Sequence, residues 1–342
     1  MAETTPHSFG GPTGLMSMPL SKGFVTIVAS TLALIVLCVI FAPSAVTAGS
    51  LMGSLPFAAV LGIVGLGQML VVQQGGFDLS VPGSVSLAVV IATHMPNGQD
   101  AGLLPALIIA VGFALAAGGL NGIMVAYFRL NAIVATIGMN ALLFSAVFAI
   151  SGGVPRITTN LLAHVAGGQT LGIPHSVLFA LAILALVSFG LKKTVAGRRF
   201  EAIGANPKAA RAAGLSVKQY QGMAYVAAQI LYCIAGILIA GITREPTAFQ
   251  GNSLLLPSVA VVVLAGTSLL GGRGFPISVV IAAFFLNQLS QFALSIGVPY
   301  SAQTIVQALA LVFGIGVYSI EWTDRFKKEQ TSSTEEENHE NV

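Results

Sequence analysis

The side chains of this chain that could do chemistry are few, and most of them are uncharged. Asp78 and Ser80 stand in QQGGFDLSVPGS, residues 73–84, between two apolar runs. Asn287 and Gln291 share a helical face at i, i+4 with Gln288 beside them, Gln303 and Gln307 repeat that spacing, and Gln68, Asn121, Asn140 and Gln229 are isolated amides in apolar surroundings. Amides without charge suit a hydroxyl-rich neutral solute, and Phe144 and Phe148 could form a stacking wall beside Asn140. The same groups also serve as hydrogen-bonding glue between apolar helices, as packing, or, for Asp78 and Ser80, as a helix cap. The sequence leaves both readings open.

Catalytic patterns are missing. The chain has no G-x-x-x-x-G-K-[ST] loop, G-x-S-x-G elbow or H-E-x-x-H helix, and Cys38 and Cys233 lie singly in apolar runs. No cofactor is implied. Between residues 24 and 191 the only charged side chains are Asp78, Asp100, Arg129 and Arg156, all placed by the pattern at span ends or in loops. A proton-coupled carrier usually keeps ionisable groups inside the membrane, so the driving force is expected from another subunit.

The other distinctive stretch is a polar island, KKTVAGRRFEAIGANPKAARAAGLSVK, residues 192–218. It sets Lys192, Lys193, Arg198, Arg199, Lys208, Arg211 and Lys218 against the single acid Glu201. Each charge at the centre of a bilayer costs roughly 2.5–3.5 kcal/mol on insertion scales, so the island belongs in water. Inside it the sequence predicts a two-turn helix, with Asn206 as N-cap, Pro207 at the first position and Gly214 as the left-handed stop. A helix that short is marginal alone. Its small side chains, Ala209, Ala210, Ala212 and Ala213, suit close docking in a groove, or contact with the chain's own membrane portion.

These features sit in a chain that is 55% hydrophobic and 8% charged, with 39 glycines and a mean hydropathy of +0.87. A soluble domain carries about 25% charged residues, so the class is an all-α polytopic membrane protein. Runs of about 20 apolar residues mark the spans. They fall at 24–42, 51–72, 81–95, 102–128, 131–150, 176–191, 220–242, 254–270, 276–296 and 302–320, about ten transmembrane helices in all. The third is short for a full crossing. The first exceeds the 7–15 apolar residues of a signal peptide. A hydrophilic loop is expected over 151–175, and GGRG at 271–274 reads as a turn.

With ten spans and the N-terminus inside, Lys22, Arg129, the island, Arg273, Arg325, Lys327 and Lys328 share one side, leaving Arg156 and Arg244 on the other. The positive-inside rule makes the first side cytoplasmic. The expected organisation is a cytoplasmic tail over 1–23, a membrane domain over 24–320 with the cytoplasmic loop 192–218, and a cytoplasmic tail over 321–342.

Four segments, in order, resemble the inner-membrane permease subunits of ribose-type sugar ABC importers: GGFDLSVPGSVSLA at 75–88, LNGIMVAYFRLNAIVATIGMN at 120–140, FEAIGANPKAARAAGLSV at 200–217 and VVLAGTSLLGGRG at 262–274. The resemblance spans residues 50–320, with Pro82 before Gly83 where the family pattern runs straight to glycine. It implies a second permease subunit in a homodimer or heterodimer, a cytoplasmic ABC ATPase and a periplasmic solute-binding protein. It also implies a cytoplasmic coupling helix that docks on the ATPase, drawing on Glu201, Gly204, Asn206, Pro207, Ala209, Ala210, Arg211 and Gly214. The implied cargo is a monosaccharide or related polyol. A branched-chain amino-acid or nucleoside permease and an energy-independent facilitator are the alternatives. Candidate pathway residues are Asp78, Ser80, Asn140, Phe144, Asn287 and Gln291.

Overall fold

The structure, a computed structural model, describes residues 22–299 and, beyond them, residues 302, 305 and 309. Most of the expected tenth span and both tails lie outside the described residues. What is described is almost wholly helical, because uncharged apolar runs without water can satisfy their backbone only internally.

Two long helices form the centre: α2 (Ala48–Gln73) and α10 (Val217–Thr243), packed against each other. From Ala58 onward every residue of α2 is buried, as expected for a helix apolar on all sides. Around this pair stand α1 (Lys22–Phe41), α4 (Leu103–Gly122), α5 (Ala132–Ser151), α7 (His175–Lys193) and α12 (Pro276–Ser295). Their outward faces carry exposed Val36, Ile108, Leu142 and Leu186, a surface too apolar for water and suited to lipid. Among the described residues, seven helices are long and apolar enough to cross a membrane.

Two of the ten expected crossings are built differently. The third is α3 (Val81–His94), 14 residues. The eighth is not a helix over 254–270: a 3-10 segment, Gln250–Leu254, leads into α11 (Leu255–Leu264), 10 residues long, and the rest is a turn. At 1.5 Å per residue these helices reach about 21 and 15 Å, well under a hydrocarbon core of about 30 Å. The stretch 151–175 is also more structured than a hydrophilic loop. It folds into α6 (Asn160–Gly167), which buries Leu162 and Ala166 against α10, and a two-residue ladder pairing Gln169–Thr170 with Ile173–Pro174. Its glycines and polar residues masked a single amphipathic turn pair.

Inside the island, α8 (Val195–Ala205) and α9 (Pro207–Ala212) follow α7. Asn206 caps α9, its side chain accepting from the N–H groups of Lys208 and Ala209 at 3.1 and 3.0 Å. At the far end the Leu215 N–H reaches Ala210 O, the Gly214 N–H reaches Arg211 O, and Gly214 has φ +80°. That is the Schellman closure, and Leu215 packs with Ala210 as the motif requires.

Close helix contact depends on glycine. A methyl group on Gly118 of α4 would stand 2.6 Å from Val226 Cα of α10, and Gly122 faces Gly222 backbone to backbone. Gly119, one residue along, has open space. Replacing Gly118 by Val is therefore expected to destabilise the protein by about 1–3 kcal/mol, while Gly119→Ala is near neutral. Thermal unfolding in detergent reads the difference, and equal melting temperatures would contradict this packing.

Candidate functional site

Two places in the bundle combine irregular backbone with buried polar groups. The first is the start of α3. A helix N-terminus carries four N–H groups without intrahelical partners, and in an apolar interior each must find one. Here the partners come from elsewhere. The Ser80 N–H donates to Asp78 Oδ1 at 2.9 Å, the Leu79 N–H to Thr136 Oγ1 at 3.0 Å and the Gly83 N–H to Asn140 Oδ1 at 2.8 Å. Pro82, in the first turn, has no N–H to satisfy. Thr136 and Asn140 lie four residues apart on one face of α5. A side chain at residue 83 would press into Asn140 and Leu143, so only glycine fits.

Asp78 is fully buried, the only charged residue type so placed among the described residues. It lies just before α3, at the span end where the sequence pattern placed it, and inside the bundle. Ser80 Oγ donates to Asp78 Oδ1; Gln229 Nε2 lies 3.1 Å from Asp78 Oδ2 and 2.7 Å from Ser80 Oγ. Asn121 Nδ2 donates to Ser80 Oγ at 3.2 Å, and Ser84 Oγ bonds Gln229 Oε1 and Ser80 O. Asn121, Ser84 and Gln229, none of them among the candidate pathway residues, come from three different helices. Their polarity amid apolar runs was visible; their convergence was not.

The candidate pathway residues therefore divide. Asp78 and Ser80 are locked in this knot, with Asn140 on its rim. Phe144, one turn beyond Asn140, and Phe148 meet Phe249 at centroid distances of 5.7 and 4.8 Å, tying α5 to the segment just before Gln250. Asn287 is elsewhere: its Nδ2 donates to Ser54 O of α2 at 3.3 Å, and α12 packs chiefly on α2, α1 and α11. Gln288 donates to Ala45 O at 3.1 Å, so both amides act as interhelical glue. Gln291, half-buried on the same helix, stays with them.

The second place is at the island end of the bundle. The last residues of α2, the end of α8 and the GGRG turn meet there almost bare. The Gly272 N–H donates to Gln73 O at 2.8 Å, Gln73 Nε2 to Gly272 O at 3.3 Å and Gln74 Nε2 to Phe200 O of α8 at 2.9 Å. A Cβ on Gly204 would collide with Gln73 O, and Gly271 and Gly272 hold φ +97° and +88°, conformations side chains rarely adopt. Since Asn206 follows α8 directly, α9 is attached rigidly to this joint. Of the expected docking residues, Ala210 is buried against Ile203 and Val217, whereas Ala209, Arg211, Ala212 and Ala213 are exposed. The helix rests on its own domain by one residue and presents the rest. Glu201 is half-buried; burial pushes its carboxyl above the ordinary value, with Lys192 pulling the other way.

The described residues form an almost wholly helical, multi-pass membrane bundle with an exposed basic helix pair at one end. The family described as branched-chain amino acid transport system / permease component matches residues 50–315, and the chain belongs to it. Among its relatives, a probable ABC transporter permease protein of Sinorhizobium fredii is 32% identical over 331 residues, 96% of each chain. The ribose import permease protein of Escherichia coli is 30% identical, covering 84% of this chain and 91% of its own. A fructose import permease protein of Bifidobacterium longum is 28% identical, covering 78% and 76%. No solved structure matches. Membership makes the chain a transport subunit and not an enzyme, with ATP hydrolysis on a separate chain and a solute-binding protein as further partner.

Replacing Gln229 by Leu leaves Asp78 Oδ2 without its donor and removes one of the two acceptors of Ser84 Oγ; it is expected to cost about 1–3 kcal/mol, whereas Gln291→Leu should change stability by less than about 0.5 kcal/mol. Thermal denaturation of the two variants checks this; equal loss would show that the knot is not what fixes α3.

Proposed function

We propose that this chain is the permease of an ATP-driven importer of a monosaccharide or related polyol, gated by an ATPase that grips α9. The observation that carries the reading is the basic, exposed α8–α9 pair joined through glycine backbone to α2 and to the turn before α12. Force applied at Ala209 and Ala212 has no soft element to dissipate in before it reaches the central helix. The island end is cytoplasmic on this reading, as the clustering of Arg129, the island and Arg273 supports. About ten spans follow if α3 and the segment from Gln250 through α11 each complete a crossing with irregular backbone. A second permease subunit completes the pathway.

The neutral cargo is supported by the names of the ribose and fructose import relatives and by the chemistry of the interior. An amino acid is a zwitterion and calls for paired charges, yet the one buried carboxylate among the described residues already accepts from Ser80 and Gln229. A branched-chain amino-acid cargo, which the family description mentions, is therefore the second reading. Uptake of ribose, fructose and leucine side by side separates the two.

An ATP-closed and an ATP-open ATPase must contact α9 differently for its motion to bias the gate. Ala209→Glu with Ala212→Glu is expected to leave membrane insertion intact but to abolish co-purification with the ATPase and ATP-dependent uptake. Gly204→Ala should keep the ATPase bound and hydrolysing while uptake falls at least tenfold. Normal uptake in the first variant would refute docking through α9; normal uptake in the second would refute transmission through the glycine joint.

A further inference from the structure

The two short crossings meet inside the bundle, and their depth can be read from α10. Gln229 lies twelve residues into that helix of 27 and bonds Ser84; Gly236, seven residues farther, touches Val85. The first turns of α3 are thus level with the middle and outer-middle of a helix about 40 Å long. The Gly251 N–H donates to Ser86 Oγ at 3.0 Å, and a Cβ on Gly251 would collide with Pro82 O. So the 3-10 segment Gln250–Leu254 dips from the end of α10 back to the depth of Pro82 and Ser86. From there α11 descends past Gly65 of α2, against which Val261 packs, to the glycine joint at Gln73.

The two arrangements mirror each other. A long helix is followed each time by a return to mid-depth and a short helix with proline near its start, and SVSLAVV at 84–90 is echoed by SVAVVVL at 258–264. Short or interrupted spans in matching positions of two inverted halves are where transporters expose backbone and polar groups to their cargo.

What decides the matter is exposure. Asn252 and Ser253 are exposed although their segment lies at hydrocarbon depth. Ser253 Oγ donates to Gln250 O at 3.2 Å, which leaves its lone pairs free, and the Asn252 side chain makes no hydrogen bond to the described residues. Irregular backbone and bare amides are not tolerated against lipid; they must line an aqueous cavity or be covered by protein. A dry protein contact would strand both groups.

We infer that Asn252 and Ser253 line the aqueous pathway and bind the hydroxyl groups of a neutral polyhydroxy solute at mid-membrane. The amide offers two donors and an acceptor, and the hydroxyl adds acceptors beside it, a set that matches adjacent hydroxyls on a sugar or polyol. The water-lined position stands on the geometry alone; the solute class rests on the importer reading above.

The test uses the full chain in lipid nanodiscs, with and without its ATPase, carrying Asn252→Cys, Ser253→Cys or Ile108→Cys. Ile108 is 65% exposed on α4 and, by the pairing of Gly118 with Val226, level with Gly236, so it faces lipid at the same depth. A cationic methanethiosulfonate, which needs a hydrated thiolate, is expected to modify residues 252 and 253 at least tenfold faster than residue 108. The wild type, whose Cys38 and Cys233 are buried, supplies the baseline. Rates at 252 and 253 no faster than at 108, whether from lipid or a second copy covering them, overturn the inference. In the assembled transporter, Asn252→Leu should cut uptake of ribose or fructose at least tenfold with assembly and basal ATP hydrolysis unchanged, and Asn252→Gln should recover part of it. Wild-type uptake by Asn252→Leu overturns the solute contact. Failure of the chain to assemble with any ATPase would instead refute the importer reading, and the labelling result would still stand.

Discussion

Within a bilayer no water is at hand to satisfy a backbone N–H or C=O, and this constraint governs where the chain can break its helices. It breaks them twice at depth, before α3 and before α11, and each break is answered by a side chain from another helix. Thr136 and Asn140 receive the Leu79 and Gly83 N–H groups, and Ser86 receives that of Gly251. The same side of α5 also clasps Phe249 through Phe144 and Phe148. One helix face thereby holds both interruptions in register, so that the polar segment they create lies at a defined depth.

The rest of the architecture follows from supporting those interruptions. α2 and α10 form a rigid spine, α4 approaches α10 across Gly118 and Gly122, and the knot around Asp78 joins the α3 start to both α4 and α10. At the island end the spine is fastened to α8 and the GGRG turn by backbone contact. Rigid connection from α9 to the spine, together with irregular segments held at mid-depth, is what a conduit driven from outside needs. Ion pairs contribute little to this design; close glycine contact and shared amides carry it.

Much of this was legible in the sequence. Uncharged runs of spanning length fixed most of the crossings, and Asn206, Pro207 and Gly214 announced both ends of α9, because caps and stops are local chemistry. The depth of the short crossings was not legible. Residues 254–270 are as apolar as a full span, and only the Gly251 contact with Pro82 and Ser86 reveals that the helix starts half-way. Nor could spacing show that Asp78, between two apolar runs, is enclosed by Asn121 and Gln229 from positions 43 and 151 residues away. Asn287 shows the opposite difficulty: its i, i+4 pairing with Gln291 looks like a binding face, but Asn287 donates to the carbonyl of residue 54 and its neighbour Gln288 to that of residue 45. Long-range convergence and the claims of neighbouring backbone are properties of the folded chain alone.

The central claim is that an external nucleotide-driven subunit holds α9, and site-directed photo-crosslinking tests it most directly. A photoreactive amino acid at position 212, on the exposed face of α9, is activated in intact membranes and its partner identified by mass spectrometry. The account predicts a crosslink to an ATP-hydrolysing chain, with a yield that changes when ATP hydrolysis is blocked. Crosslinks confined to lipid or to this chain's own helices would contradict it.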